Sequence, residues 1–162
     1  NLLILRDQGK LKLLTGTTGA THNDESQSGL LVADAFAKKH PAIVTRVLKV
    51  LLRASQWASE EKNREALIRF VSERSLAYKY TAENYKGSLK ERYNPLIDES
   101  TVVAYKKTVQ FCVEHKVIRK TVDEASIRSW FHPQYQQAAL KELKLEKYWP
   151  TSGGPFKPRP VR

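Results

Sequence analysis

The chain has 162 residues, 41% apolar and 28% charged, with a net charge of +11, which suits one ordinary domain with its own core and excludes a disordered chain. No stretch reaches the roughly 18 apolar residues of a membrane-spanning helix, and a single cysteine, Cys112, excludes an internal disulfide. The positive charge invites a nucleic-acid partner, but lysines and arginines run through every predicted helix with acids beside them, as in Glu60, Glu61, Lys62, Arg64 and Glu65. That interleaving reads as solvated helix surface, so nucleic acid is not an expected partner. The sequence starts at Asn1 and contains no methionine, so a longer protein with a signal peptide upstream is expected.

In chain order, Leu2 to Leu5 read as a helix end or clipped element stopped by Gly9. Lys10 to Thr15 alternate well enough for a strand, and Gly16 to Gly19 form a flexible loop. A polar crossing, Thr21 to Ser28, leads to Leu30, Leu31, Val32 and Ala33, an apolar run that reads as a buried strand set off by Gly29. Beyond it the character changes. From Leu30 to Ser152 there is one glycine, Gly87, and, before Pro150, only Pro41, Pro95 and Pro133, so helices joined by brief turns are expected.

Asp34 to Lys39 is a short helix. Pro41 to about Ser59 is a long one, with Pro41 at its first position and Val44, Val47, Leu48, Leu51 and Leu52 at helical spacing. A second stripe, Ile43, Val50 and Trp57, leaves that helix little solvated surface, so it should pack on more than one side. Arg64 to Arg74 forms the next helix, and Thr81 caps a short one through about Leu89. Asp98 or Ser100 opens a helix carrying Val102, Tyr105, Val109 and Cys112. Thr121 and Glu124 form a capping box for a helix ending near Ser129. His132 and Pro133 begin the last, which turns Tyr135, Ala139, Leu140 and Leu143 inward. From Thr151 onward the proline- and glycine-rich sequence reads as a loose tail.

Little in this pattern points to catalysis. The histidines, His22, His40, His115 and His132, make no metal-binding spacing, so no metal and no cofactor is expected. Cys112 and His115 are three apart on one helix, which reads as a small buried cysteine beside a surface histidine. Gly16 to Gly19 lacks the lysine and serine or threonine of a phosphate loop and reads as a turn. The polar crossing is different. Thr21, His22, Asn23, Ser26, Gln27 and Ser28 concentrate neutral donors between two apolar runs, and such donors suit a small oxyanion; an exposed linker explains them equally.

The order of these motifs resembles a known family. Ser28 to Pro41 ends in a Phe-Ala-x-x-His-Pro pattern (Phe36, Ala37, His40, Pro41). Leu51 to Trp57, Pro95 to Ser100, Trp130 to Tyr135 and Ala139 to Trp149 follow in the same order and spacing. The segments together resemble the substrate-binding proteins of ABC importers for aliphatic sulfonates, taurine and nitrate, over about residues 10 to 150. The resemblance implies an α/β, two-lobed periplasmic-binding-protein fold, of which this would be the mostly helical carboxy-terminal part with a few strands near its amino end. Residues 1–20 would end the second lobe, 21–33 would be the returning hinge strand, 34–150 the helical part of the first lobe and 151–162 the tail.

The same resemblance implies a protein that binds a small anionic ligand, hands it to a membrane permease and catalyses nothing. It would work in the periplasm or lipid-anchored outside the cytoplasmic membrane. Most ligand contacts would lie in the other half, leaving Thr21, His22, Asn23 and Gln27 as this chain's candidates. Two departures stand out. Asp24 and Glu25 replace the usual aromatic or aliphatic hinge residues, and Gln27 and Gly29 leave the usual aromatic contact unfilled. A half-protein with an exposed lobe face would also be prone to self-association. Two other readings compete: an enzyme-like pyrimidine-precursor synthesis protein of the same fold, and a basic helical nucleic-acid-binding domain supported only by charge.

Overall fold

A computed structural model describes residues 2–12, 14, 29–74 and 77–157. They fall into two compact units, one from the described parts of 1–19 and 54–94, the other from those of 20–53 and 95–162. The described residues are mostly helical. The expected strands are not among them: residues 11, 12 and 14 and the run Leu30 to Ala33 have no regular structure, and among the described residues the only β-pairing is an isolated bridge between Asp98 and Pro155. Leu31 is 95% exposed. An apolar run becomes a strand only beside another strand, and the described chain offers Leu30 to Ala33 none.

The first unit contains α1 (Leu2–Asp7), and later α4 (Arg64–Ser72), α5 (Tyr78–Asn84) and α6 (Leu89–Arg92). Gly9, just past α1, takes a left-handed φ of 69°, the conformation that only glycine adopts at little cost after a helix. The core of this unit is Ala58, Leu67 and Leu89, with Val71, Tyr85 and Tyr93 packed on it. Thr81 does not cap a helix, because α5 begins at Tyr78, one turn earlier; Thr81 sits buried within the helix with its hydroxyl turned back to the Ala77 carbonyl. Ser88 supplies the cap expected nearby, accepting from the Glu91 amide at 3.2 Å to open α6.

The second unit contains α2 (Asp34–Lys39), most of α3 (Pro41–Ser59), α7 (Glu99–Glu114), α8 (Glu124–Ser129) and α9 (Pro133–Leu143). α3 turns Val44, Leu48 and Leu52 inward, and Leu52 joins Ala139, Leu140, Leu145 and Trp149 in one core cluster. Val47 and Leu51, expected on that inward face, are 42% and 45% exposed. Around the helix, 100° per residue places them between the inward residues and the second stripe, so the apolar face is one broad arc of which the described residues cover the edge carrying Val44, Leu48 and Leu52. On α9, Gln136 is buried and clamps the approach to α7: its amide donates to the Pro95 carbonyl at 2.7 Å and its carbonyl accepts from the Ile97 amide at 3.1 Å.

A second cluster joins α7 and α8 through Val102, Val109 and Ile127, ringed by Tyr105, Ile118, Val122, Phe131 and Phe156. α8 is capped by Asp123, whose carboxylate accepts from the Ser126 amide at 2.6 Å, rather than by the Thr121 and Glu124 box. Both registers carry capping residues, and the aspartate, nearer the helix, takes the role. Cys112 is half-buried on α7, and His115, at the end of that helix, lies against the Phe111 ring, 4.2 Å between centroids. Residues 151–157, expected to be loose, are held on the start of α7. Gly154 donates no side chain to its left-handed turn (φ 81°), and its carbonyl accepts from the Glu99 amide at 3.3 Å. A methyl group on Gly153 would sit 2.5 Å from the Ser100 amide nitrogen, so no larger residue fits that approach.

Candidate functional site

The donor cluster expected to meet an anion, Thr21, His22, Asn23 and Gln27, lies outside the described residues. Its exit is described: residues 29–33 run in irregular conformation into α2, with Leu30 and Leu31 exposed. The other histidines are dispersed. His40 ends α2 with its ring 5.0 Å from Phe36, and His132 precedes α9 with Nε2 3.4 Å from an Asp34 carboxylate oxygen. Among the described residues no group of three His, Cys, Asp or Glu side chains could hold a metal ion, and no helix is long and apolar enough to cross a membrane.

The densest polar geometry among the described residues surrounds the first turn of α7. The Asp98 backbone ends the preceding extended segment, and its side chain folds back as the helix cap. One carboxylate oxygen accepts from the Ser100 amide at 2.9 Å and from the Ser100 hydroxyl; the other accepts from the Ser152 amide at 2.8 Å. The Thr101 hydroxyl accepts in turn from the Asp98 amide at 3.3 Å, completing a capping box. Burial pushes the Asp98 carboxyl upward, but the Ser100 hydroxyl and the amides of Ser152, Gly153 and Ser100 outweigh it and hold the group below its ordinary value.

Beside it, Arg128 of α8 grips Glu99 with two parallel bonds of 2.8 Å, reaches Glu124 at 2.7 Å and donates to the Lys157 carbonyl at 2.8 Å. This fork matches a carboxylate in a way a lysine could not. The Arg128 guanidinium draws the Glu99 carboxyl down to about 2, with the Lys157 amide adding to it against the opposing cost of burial. Lys106 completes the lattice, 2.6 Å from Glu124.

Every charge in this lattice is answered from within the chain, so its role is to fasten residues 151–157 and α8 to α7. A shallow groove of about 390 Å³ lies alongside, between Val109, Val113 and Ile127. Its nearest cation, Lys106, is already committed to Glu124, so the groove offers no convergent donors for an anion. In the first unit, Arg6, Asp7, Lys79 and Glu83 make a comparable self-contained network tying α1 to α5, with Asp7 held down to about 2 first by Lys79 and then by Arg6.

Of these groups, Asp98 was readable only as one of two candidate caps, beside Ser100. The pairing of Glu99 with Arg128, 29 positions apart, leaves no trace in sequence spacing. Its consequence can be tested by titration. Glu99 has a folded value near 2 against about 4.3 when unfolded, so its contribution, about 1 to 2 kcal/mol after solvent screening, is complete above pH 4.3. It fades as pH falls toward 2. Urea midpoints of the wild type and Glu99→Gln should differ clearly at pH 7 and converge only as pH falls below about 2.

No family model and no curated protein sequence matches the chain. Among solved structures, the chain matches one named as the periplasmic sulfonate-binding protein SsuA of a sulfonate ABC transporter from Methylobacillus flagellatus KT, with a TM-score of 0.82 and 25% sequence identity. The match covers 96% of this chain and 47% of that one, so the chain spans about half the length of the structure it resembles. The chain therefore shares the fold of one half of a periplasmic binding protein.

Proposed function

We propose that the chain is the carboxy-terminal part of the solute-binding component of an ABC importer, a two-lobed protein that captures a small anion such as an aliphatic sulfonate, taurine or nitrate and delivers it to a membrane permease. The observation that carries this reading is the structural match, a TM-score of 0.82 over 96% of the chain. It is supported by the agreement of that match with the five motif segments read from the sequence between residues 28 and 149. In this reading residues 1–20 close the second lobe, 21–33 return through the hinge and 34–150 build the helical side of the first lobe. The protein works outside the cytoplasmic membrane and catalyses no reaction.

Thr21, His22, Asn23 and Gln27 are this part's contribution to the anion site, as hydroxyl, imidazole and amide donors at the crossing between lobes. An uncharged donor set of this kind suits a sulfonate or nitrate, whose charge is spread over three oxygens that each accept hydrogen bonds. The test is a titration of the isotopically labelled chain with taurine, ethanesulfonate and nitrate, followed by amide resonances. Shifts concentrated at residues 21–27 and weakened roughly tenfold by Gln27→Ala are expected. Shifts confined to other residues, or duplex DNA binding whose affinity falls steeply with salt, would contradict the reading.

A further inference from the structure

The turn after α7 holds two apolar side chains outward on a fixed backbone. The Val117 and Ile118 amides both donate to the Cys112 carbonyl, at 2.8 and 3.2 Å, which pins the turn to the end of the helix. Ile118 packs inward on the cluster of Val102, Val109 and Ile127. Its neighbour Val117 is left 67% exposed, and Phe111, one residue before Cys112, is 57% exposed. Single exposed apolar residues are ordinary, so these two count only together with what surrounds them.

What surrounds them is unanswered positive charge. Lys116, Arg119 and Lys120 are exposed, and none of them pairs with a carboxylate among the described residues. Between Phe111 and Val122 the one acid is Glu114, already engaged by the Gln110 amide at 2.8 Å. The end of α9 supplies the contrast. Lys116 and Lys144 both adopt a left-handed φ of 57°, and Lys141 and Lys147 are exposed beside the latter. There, however, Leu143 and Leu145 pack into the core, and Glu142 and Glu146 alternate with the lysines. Of these two helix ends, only that of α7 joins exposed apolar residues to uncompensated cations.

We propose that this end of α7 seats on an anionic lipid surface, with Phe111 and Val117 entering the headgroup layer and Lys116, Arg119 and Lys120 meeting lipid phosphates. The combination of chemistries selects lipid as the occupant. Three unpaired cations call for a polyanion, and a membrane is the polyanion that has hydrocarbon directly beneath its charge. Duplex DNA would answer the cations but gives Val117 no apolar surface to enter. A second copy of the chain is excluded by charge, since each copy carries +11. The contact needs neither the bound anion nor a second lobe, so it stands apart from the functional reading above.

The test is sedimentation of the 162-residue chain with vesicles at physiological salt. Binding is expected to vesicles of equal parts phosphatidylglycerol and phosphatidylcholine, and not to phosphatidylcholine alone. Each cation near such a surface raises partitioning about fivefold, so Lys116→Gln, Arg119→Gln and Lys120→Gln together should lower it roughly a hundredfold. Lys141→Gln, Lys144→Gln and Lys147→Gln remove the same charge from the end of α9 and should lower it by less than about fivefold. Phe111→Ser with Val117→Ser should lower it about tenfold. Circular dichroism checks each fold, and Arg119→Gln alone, expected to lower partitioning about fivefold, serves if the triple variant does not fold. No binding to the anionic vesicles, equal losses in the two triple variants, or full binding by the serine variant would overturn the proposal. Duplex DNA binding tighter than vesicle binding, and lost on substitution at 116, 119 and 120, would overturn it in favour of a nucleic-acid contact.

Discussion

Trp149→Ala should cost about 3 to 5 kcal/mol, lowering the melting temperature by roughly 10 °C or more. Trp149 is 3% exposed and closes the core formed by Leu52 of α3, Ala139 and Leu140 of α9, and Leu145. The ring is wedged between two elements nearly a hundred residues apart in sequence, and the chain leaves the helical region immediately after it, at Pro150. Neither side of the gap can collapse freely, since α3 and α9 are held by their own packing, so the loss includes both transfer and cavity terms. Trp57 and Trp130 provide the contrast. They are 44% and 50% exposed, and their alanine variants should shift the melt by far less. Thermal unfolding followed by far-ultraviolet circular dichroism separates the three.

Asp98→Ala should cost about 2 to 4 kcal/mol and should release residues 151–157. The substitution removes a helix cap, worth about 1 kcal/mol, and leaves without their acceptor the buried Ser100 amide and the part-buried Ser152 amide. Asp98→Asn keeps the shape but turns amide hydrogens toward at least one of those donors, so it should recover only part of the loss. Because the folded carboxyl is held below its ordinary value, the difference between wild type and Asp98→Asn is complete at neutral pH. It shrinks as pH falls below about 4. Urea unfolding gives the stability; hydrogen exchange at the Ser152, Gly153 and Lys157 amides reports the release directly, and unchanged protection there would contradict the strap.

Residues 151–157 also show why parts of the fold were not legible in sequence. Their proline and glycine content reads as looseness, because composition carries no information about what a segment docks on. The docking is supplied by Asp98 and Glu99, some 50 residues earlier, through backbone amides that any residue possesses. The helices from Asp34 onward were readable because their evidence is local: Pro41 at a first turn, a capping aspartate at 98, apolar residues at helical spacing. Local evidence also misled where two caps competed, as at Thr121 against Asp123. For the apolar run Leu30 to Ala33, strand and irregular chain differ only in whether a partner strand is present, and sequence within the run cannot decide that.

The ligand site is the reverse case. Thr21, His22, Asn23 and Gln27 were proposed from donor chemistry and from resemblance, and they lie outside the described residues. The described polar lattice around Asp98 and Arg128 is geometrically richer but fully answered from within, which marks it as architecture. A site for a ligand needs donors left open to receive it.

Calorimetry with taurine, ethanesulfonate and nitrate, on a hybrid in which the chain replaces the matching part of the Methylobacillus flagellatus protein, tests the central claim most directly. The account predicts one-to-one binding of at least one of these anions, with a Kd of micromolar order that weakens roughly tenfold in Gln27→Ala. A hybrid that melts cooperatively yet binds none of them, or binds one with an affinity that Thr21→Ala and Gln27→Ala leave untouched, would contradict it.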